Sequence, residues 1–150
     1  VPFDDTVFLK SKVDVLSFFT DEQLRRVTSV IDRKTYNKGQ TVMFQGEVTN
    51  NFFVVKKGKV MVVAKVGKEK ERVELAELKA GDFFGEMSLL ESTAATATIK
   101  SVEEGTEILM IPHDSFQYLL KENPLLEKTL RDRIAARKQQ KSDASPKEGA

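Results

Sequence analysis

Apolar positions along the chain follow two periodicities, and the switch between them marks its main internal boundary. After an irregular lead-in over residues 2–5, Phe8, Leu9, Val13, Leu16 and Phe19 recur at close to helical spacing, which predicts helix from Thr6 to Phe19. Thr20-Asp-Glu-Gln23 reads as a capping box, with the Thr20 hydroxyl and the Gln23 amide satisfying orphan backbone donors of a second helix. Leu24, Val27, Val30 and Ile31 supply that helix's apolar stripe.

From Lys34 the pattern changes to short extended segments: Thr35-Tyr36, Thr41 to Gln45, Asn51 to Lys56, Lys59 to Val66 and Arg72 to Leu78. The last alternates polar and apolar residues through Val73, Leu75 and Leu78. Turns fall at Asn37-Lys-Gly39, Gly46-Glu47, Lys57-Gly58 and Gly67-Lys-Glu69. Short strands at ~8–12-residue spacing, bounded by glycine, predict a β-sandwich or barrel. A short helical turn is expected at Gly85 to Leu90 and an extended stretch at Ala94 to Ser101. A strand follows from Glu107 to Ile111, stopped by Pro112. Asp114 or His113 then caps a helix carrying Phe116, Leu119 and Leu120, and Pro124 opens a last helix striped by Leu126, Leu130 and Ile134. The small, polar stretch Ser142 to Ala150 predicts a disordered tail. The expected organisation is one domain over residues 1–141, helical over 1–33, β over 34–112 and helical again over 113–141, with the tail at 142–150.

Composition narrows the function. A length of 150 residues suits one core, and 40% hydrophobic with 31% charged residues reads as soluble and globular. Lys plus Arg number 24 against 23 Asp plus Glu, so bulk charge offers no argument for nucleic-acid binding. The absence of cysteine excludes disulfides, thiolate zinc sites and a cysteine nucleophile, and is compatible with a reducing, cytoplasmic setting. The single histidine, His113, cannot build a His-based metal centre such as a cupin requires, and reads as a helix-end residue. No apolar run approaches the ~18 residues of a membrane span. The start at Val1, without a signal peptide, predicts a piece of a longer protein. The basic run from Lys121 to Lys141 reads either as a solvated helix face or as a docking surface, with Arg131 and Arg133 the nearest candidates for contact.

The most unusual stretch is Gly81-Asp-Phe-Phe-Gly85-Glu86-Met-Ser-Leu-Leu90. A glycine before a short helix lets backbone approach a ligand, and the exposed N–H groups favour an anion. Glu86 has two readings: a charge complementing a helix N-terminus, or a carboxylate accepting hydrogen bonds from a sugar hydroxyl. Phe83, Phe84, Leu89 and Leu90 read as core. Three motifs then occur in order: Tyr36-x-Lys38-Gly39 with Val42 and Gly46-Glu47; Phe53-Val-Val-x-x-Gly58-x-Val60; and the Gly81 to Leu90 stretch itself. Together they resemble the cyclic-nucleotide-binding domain shared by catabolite-activator transcription factors, kinase regulatory subunits and gated channels. The resemblance runs from about Leu9 to Ile134.

The resemblance implies a mainly β fold, a jelly-roll-like β-roll flanked by helices. It implies that Gly85 and Met87 supply backbone donors, that Glu86 takes a ribose hydroxyl, and that Val62, Ala76 and Leu78 fall where the family lines its base pocket. Ordinary β-roll core is the alternative for those three. It also implies that the last helix can act as a lid over the base. The chain departs from the family where a Pro-Arg pair should precede Ala/Ser/Thr-Ala-Thr. Aligned without gaps, Ala94 and Ala95 replace that pair, and Thr96-Ala97-Thr98 still match; a shorter-loop register puts Thr93 at the arginine. Neither offers a positive charge between Glu86 and Ile99. Breaking a buried, bidentate arginine–phosphate pair costs roughly 2–5 kcal/mol. That is about 30- to 3,000-fold in affinity.

The expectation is therefore a non-catalytic regulatory domain without a resident cofactor. Standard cAMP or cGMP binding is weak or lost, and the domain acts through another protein or another domain of a parent chain. The alternative is a sensor that binds cyclic nucleotide weakly or a less anionic, nucleoside-like ligand. No helix-turn-helix follows the last helix, so neither nucleic acid nor membrane is an expected partner of this segment.

Overall fold

A computed structural model describes residues 5–13, 16, 17, 19–48, 51–85, 94–125, 127–129, 131, 132, 135 and 136. Helix α1 spans Thr6–Lys12 and α2 Asp21–Thr28. The strands are β1 (Asp32–Tyr36), β2 (Thr41–Met43), β3 (Asn51–Lys57), β4 (Lys59–Val66), β5 (Glu71–Lys79), β6 (Phe83–Phe84), β7 (Thr98–Ser101) and β8 (Thr106–Pro112). Helix α3 spans His113–Glu122. The strands form two four-stranded sheets, β1-β8-β3-β6 and β2-β7-β4-β5, with antiparallel pairings throughout. The molecule is a mainly β roll with flanking helices, as the family resemblance implies.

Two apolar cores explain this arrangement. In the first sheet, β3 and β8 are apolar on both faces, as strands must be when both sides are covered. Phe52, Val54, Leu109 and Ile111 pack outward against Leu9, Leu16, Phe19, Leu24, Val27 and Leu120 from the helices and the loop between them. Phe53, Val55 and Ile108 face the other way and meet Val60, Val62, Leu78 and Ile99 of the second sheet. Asp5, just before α1, is 2% exposed and forms ion pairs with Arg33 of β1 and Lys56 of β3, while the Lys56 ammonium sits over the Phe8 ring. This charge cluster ties the start of α1 to the first sheet. Gly81 (φ +95°) completes the joint: a Cβ there would stand 2.7 Å from the Lys12 carbonyl oxygen at the end of α1.

Several local expectations need correction. The first helix ends at Lys12, not Phe19; beyond it Leu16 and Phe19 are buried from tight turns, with Leu16 N–H donating to the Val13 carbonyl at 3.0 Å and Phe19 N–H to the Leu16 carbonyl at 3.2 Å. The Thr20–Gln23 capping box forms in both directions, at 3.2 and 2.9 Å. Helix α2 stops at Thr28, so Val30 lies beyond it and is 47% exposed rather than part of a buried stripe. Strand β2 ends at Met43, before Gln45. Strand β7 begins only at Thr98, with Ala94 making an isolated bridge to Val48. Neither His113 nor Asp114 caps α3: its N-cap position is Pro112, without a side-chain cap bond. Pro112 is also the last residue of β8, so the strand includes the proline. Leu120 reaches the helix-side core, whereas the Leu126, Leu130 and Ile134 stripe and the tail from Ser142 lie outside the described residues, as do the side chains of Phe116 and Leu119.

Candidate functional site

The site implied by the sequence lies where β6, the 94–98 segment and the inner face of β4 and β5 come together. β6 pairs with β3 through Phe84↔Phe53 and Phe83↔Val54, and the Phe53 and Phe84 rings stack at 4.8 Å with an interplanar angle of 4°. Gly85 follows directly in a left-handed conformation, φ +76°. A Cβ at Gly85 would stand 2.8 Å from the Phe53 ring and 3.1 Å from the Asn51 carbonyl oxygen. The fold alone therefore demands glycine here, whatever binds beyond it. Glu86 and Met87, the expected ribose acceptor and second backbone donor, lie outside the described residues, as does the helical turn expected up to Leu90.

The opposing segment is held by its main chain. Ala95 N–H donates to the Glu47 carbonyl at 2.8 Å, and the Ala95 carbonyl accepts from Gly46 N–H at 2.8 Å. Thr98 Oγ1 accepts from the Gln45 N–H at 2.9 Å. The Gly46-Glu47 turn is thus a clamp on residues 94–98. Ala95 is half-buried and packs against the inner core; Ala94 and Thr96 are exposed. The side chain that the clamp brings near this core is acidic. Burial first, and then the nearby Glu47 carboxylate, hold the Tyr36 phenol above its ordinary pKa. Glu47 Oε1 also accepts from Phe44 N–H at 3.0 Å, which fixes the turn.

Of the three expected base-pocket residues, Val62 and Leu78 are buried in the inner core. Ala76 pairs with Val62 in register and so shares its face, yet it is exposed on an edge strand. The core alternative therefore fails for Ala76. A bulge between Val62 and Val63 on this pair shifts the β5 alternation at Leu75, so Leu75 also packs inward. Sequence patterning missed the Glu47–Tyr36 pairing and the clamp on Ala95. The glycine before Glu47 was the available signal, since its φ of +90° makes the turn that presents the two backbone groups.

Residues 33–123 match the cyclic nucleotide-binding domain family. The cGMP-dependent protein kinase egl-4 of Caenorhabditis briggsae is 34% identical over 123 residues, which cover 82% of this chain and 16% of the kinase. The chain thus spans a small fraction of the curated relatives it matches. The Thermus thermophilus catabolite activator protein superposes with a TM-score of 0.72 at 26% identity, covering 86% of this chain and 59% of that one. The regulatory subunit of a cAMP-independent protein kinase A from Trypanosoma cruzi, bound to guanosine, has the same fold at a TM-score of 0.72 and 17% identity, covering 84% of this chain and 43% of that one. With its paired sheets, its Gly85 turn and its clamped 94–98 segment, this chain belongs to the cyclic nucleotide-binding domain family.

Proposed function

We propose that this chain is a non-catalytic regulatory domain of a larger protein, in which cAMP and cGMP bind weakly or not at all and the output is contact with another domain or protein. The clamp on Ala95 carries the reading. Both backbone groups of Ala95 are engaged at 2.8 Å, so the segment is held in place with a methyl group where the ungapped alignment with the family puts the arginine. Calorimetry with cAMP and cGMP tests this. Wild type should show no micromolar binding, and Ala95→Arg should strengthen binding by at least about tenfold, from the new bidentate contact. Clear micromolar binding of either nucleotide to wild type overturns the reading.

A second reading is a sensor for a nucleoside-like ligand. It is favoured by the guanosine held by the Trypanosoma cruzi neighbour of the same fold. A ligand without a cyclic phosphate does not need the arginine. Gly85, Glu86 and Met87 would serve its ribose, Val62, Ala76 and Leu78 its base, and Thr96 would border the phosphate end. Guanosine and adenosine belong in the same titrations: binding that disappears in Glu86→Gln supports this reading, and no binding removes it.

A further inference from the structure

We propose that the outer face of the β2-β7-β4-β5 sheet docks an extended, acidic protein segment carrying aliphatic side chains. Val60, Val62 and Ala64 of β4 lie in the inner core, so by strand alternation Lys59, Met61, Val63 and Lys65 point outward. Register places Lys79, Glu77, Glu74 and Arg72 of β5 opposite those four, and Lys100 of β7 opposite Met61. A cleft of about 370 Å³ opens on this face, lined by Met61 and Val63 and bordered by Lys38, Arg72, Glu74 and Lys100. Val63 is only 8% exposed although no second layer among the described residues covers it; the long stems of its charged neighbours shield it.

Charge identifies the occupant. Lys38, Lys59, Lys65, Arg72, Lys79 and Lys100 outnumber Glu74, Glu77 and Glu104, whose carboxylate accepts from the Lys38 N–H at 2.7 Å, on and around this face. Among the described residues none of these cations is in an ion pair. Unpaired cations around an aliphatic floor complement carboxylates alternating with aliphatic side chains. Nucleic acid fits less well: the outward positions of β4 and β5 hold no aromatic for base stacking, and Glu74 stands among the cations where a phosphate would lie. Among the described residues β5 is also the edge of its sheet, which puts a strand edge beside the cleft for an extended chain to reach.

The proposal extends the protein-contact reading, on which it rests. Its test does not use the nucleotide pocket, so the two fail separately: cyclic nucleotide titration decides the pocket, and peptide binding decides this face. The probe is a labelled synthetic peptide of alternating Glu and Leu, compared with its Lys-Leu counterpart and with a single-stranded oligothymidylate. The Glu-Leu peptide should bind the intact chain, weaken with added salt, and shift the methyl resonance of Met61 but not that of the inward Met43. Arg72→Glu with Lys100→Glu should lower its affinity at least about tenfold, the scale of one lost charge-assisted contact. Lys38→Glu, in a turn outside the strands, gives the same direction of change should the double variant fail to fold. Absence of Glu-Leu binding, an unshifted Met61, or tighter binding of the oligothymidylate overturns the proposal.

Discussion

The two sheets of the roll share an interior but have opposite exteriors. The outer face of the first is covered by helices, and two of its cations, Arg33 and Lys56, both meet the buried Asp5. Among the described residues, the outer face of the second carries no helical layer, and Lys59, Lys65, Arg72, Lys79 and Lys100 have no ionic partner. The difference is written in the strands. β3 reads Phe-Phe-Val-Val, apolar on both sides, whereas β5 places a charged residue at every outward position. Met61 and Val63 interrupt that charged surface, and a fully solvated face has no need of either. Matched charge on the covered face serves the fold; unmatched charge on the bare face is free for a partner.

Substitutions on the two faces should have effects of different size. Phe52→Ala, on the covered face, should cost the most, about 3–5 kcal/mol, since a fully buried ring at 0% exposure leaves a cavity against the helices. Chemical denaturation measures it directly. Asp5→Asn should follow at about 2–4 kcal/mol, toward the lower end for a broken buried pair because Arg33 and Lys56 keep 19% and 30% side-chain exposure. The same change should loosen α1, read as faster amide exchange over residues 6–12. Val63→Thr, on the bare face, should cost about 1–2 kcal/mol, because only the stems of charged neighbours shield its hydroxyl, yet it should weaken Glu-Leu peptide binding. If Val63→Thr destabilised as much as Phe52→Ala, the second face would be structural core and the contrast would collapse.

The smallest effect lies at the helix contact between α2 and α3. Hydrogen bonding to Tyr118 holds the Glu122 carboxyl below its ordinary pKa; burial opposes that shift, and attraction from Arg26 adds to it. A depressed carboxylate contributes stability that is present above its unfolded pKa and lost as pH falls through its lower folded value. Stability should therefore decline slightly on the acid side, and Glu122→Gln should flatten that part of the profile. Because the pair is exposed, salt should erase most of the difference. Carboxyl-carbon titration of Glu122 by NMR checks the direction.

Local signals were legible where neighbouring residues decide the structure. The Thr20–Gln23 capping box is specified within four residues, and β4 is delimited as expected at Lys59 and Val66 because Gly58 and Gly67 bracket a β-branched run. Helical spacing misled from Val13 to Phe19, because burial against a sheet rewards apolar side chains whether or not the backbone between them is helical. Asp114 failed as a cap for a similar reason: β8 runs straight into α3 through Pro112, and the strand's pairing with β3 sets the junction.

Adjacent residues suffice for the family motifs, the strand-forming runs, and the absence of any cation between Glu86 and Ile99. Tertiary structure alone decided which charges are paired. Asp5 and Lys56 stand 51 positions apart and share no local pattern, so only the docking of α1 onto the first sheet makes them partners. The same holds for Ala95, whose place depends on a turn at Gly46 and Glu47. It holds too for Met61 and Val63, which read as ordinary strand residues until the fold leaves their face without a covering layer. Long-range pairing is bought by closure of the whole roll, and no short window of sequence contains that free energy.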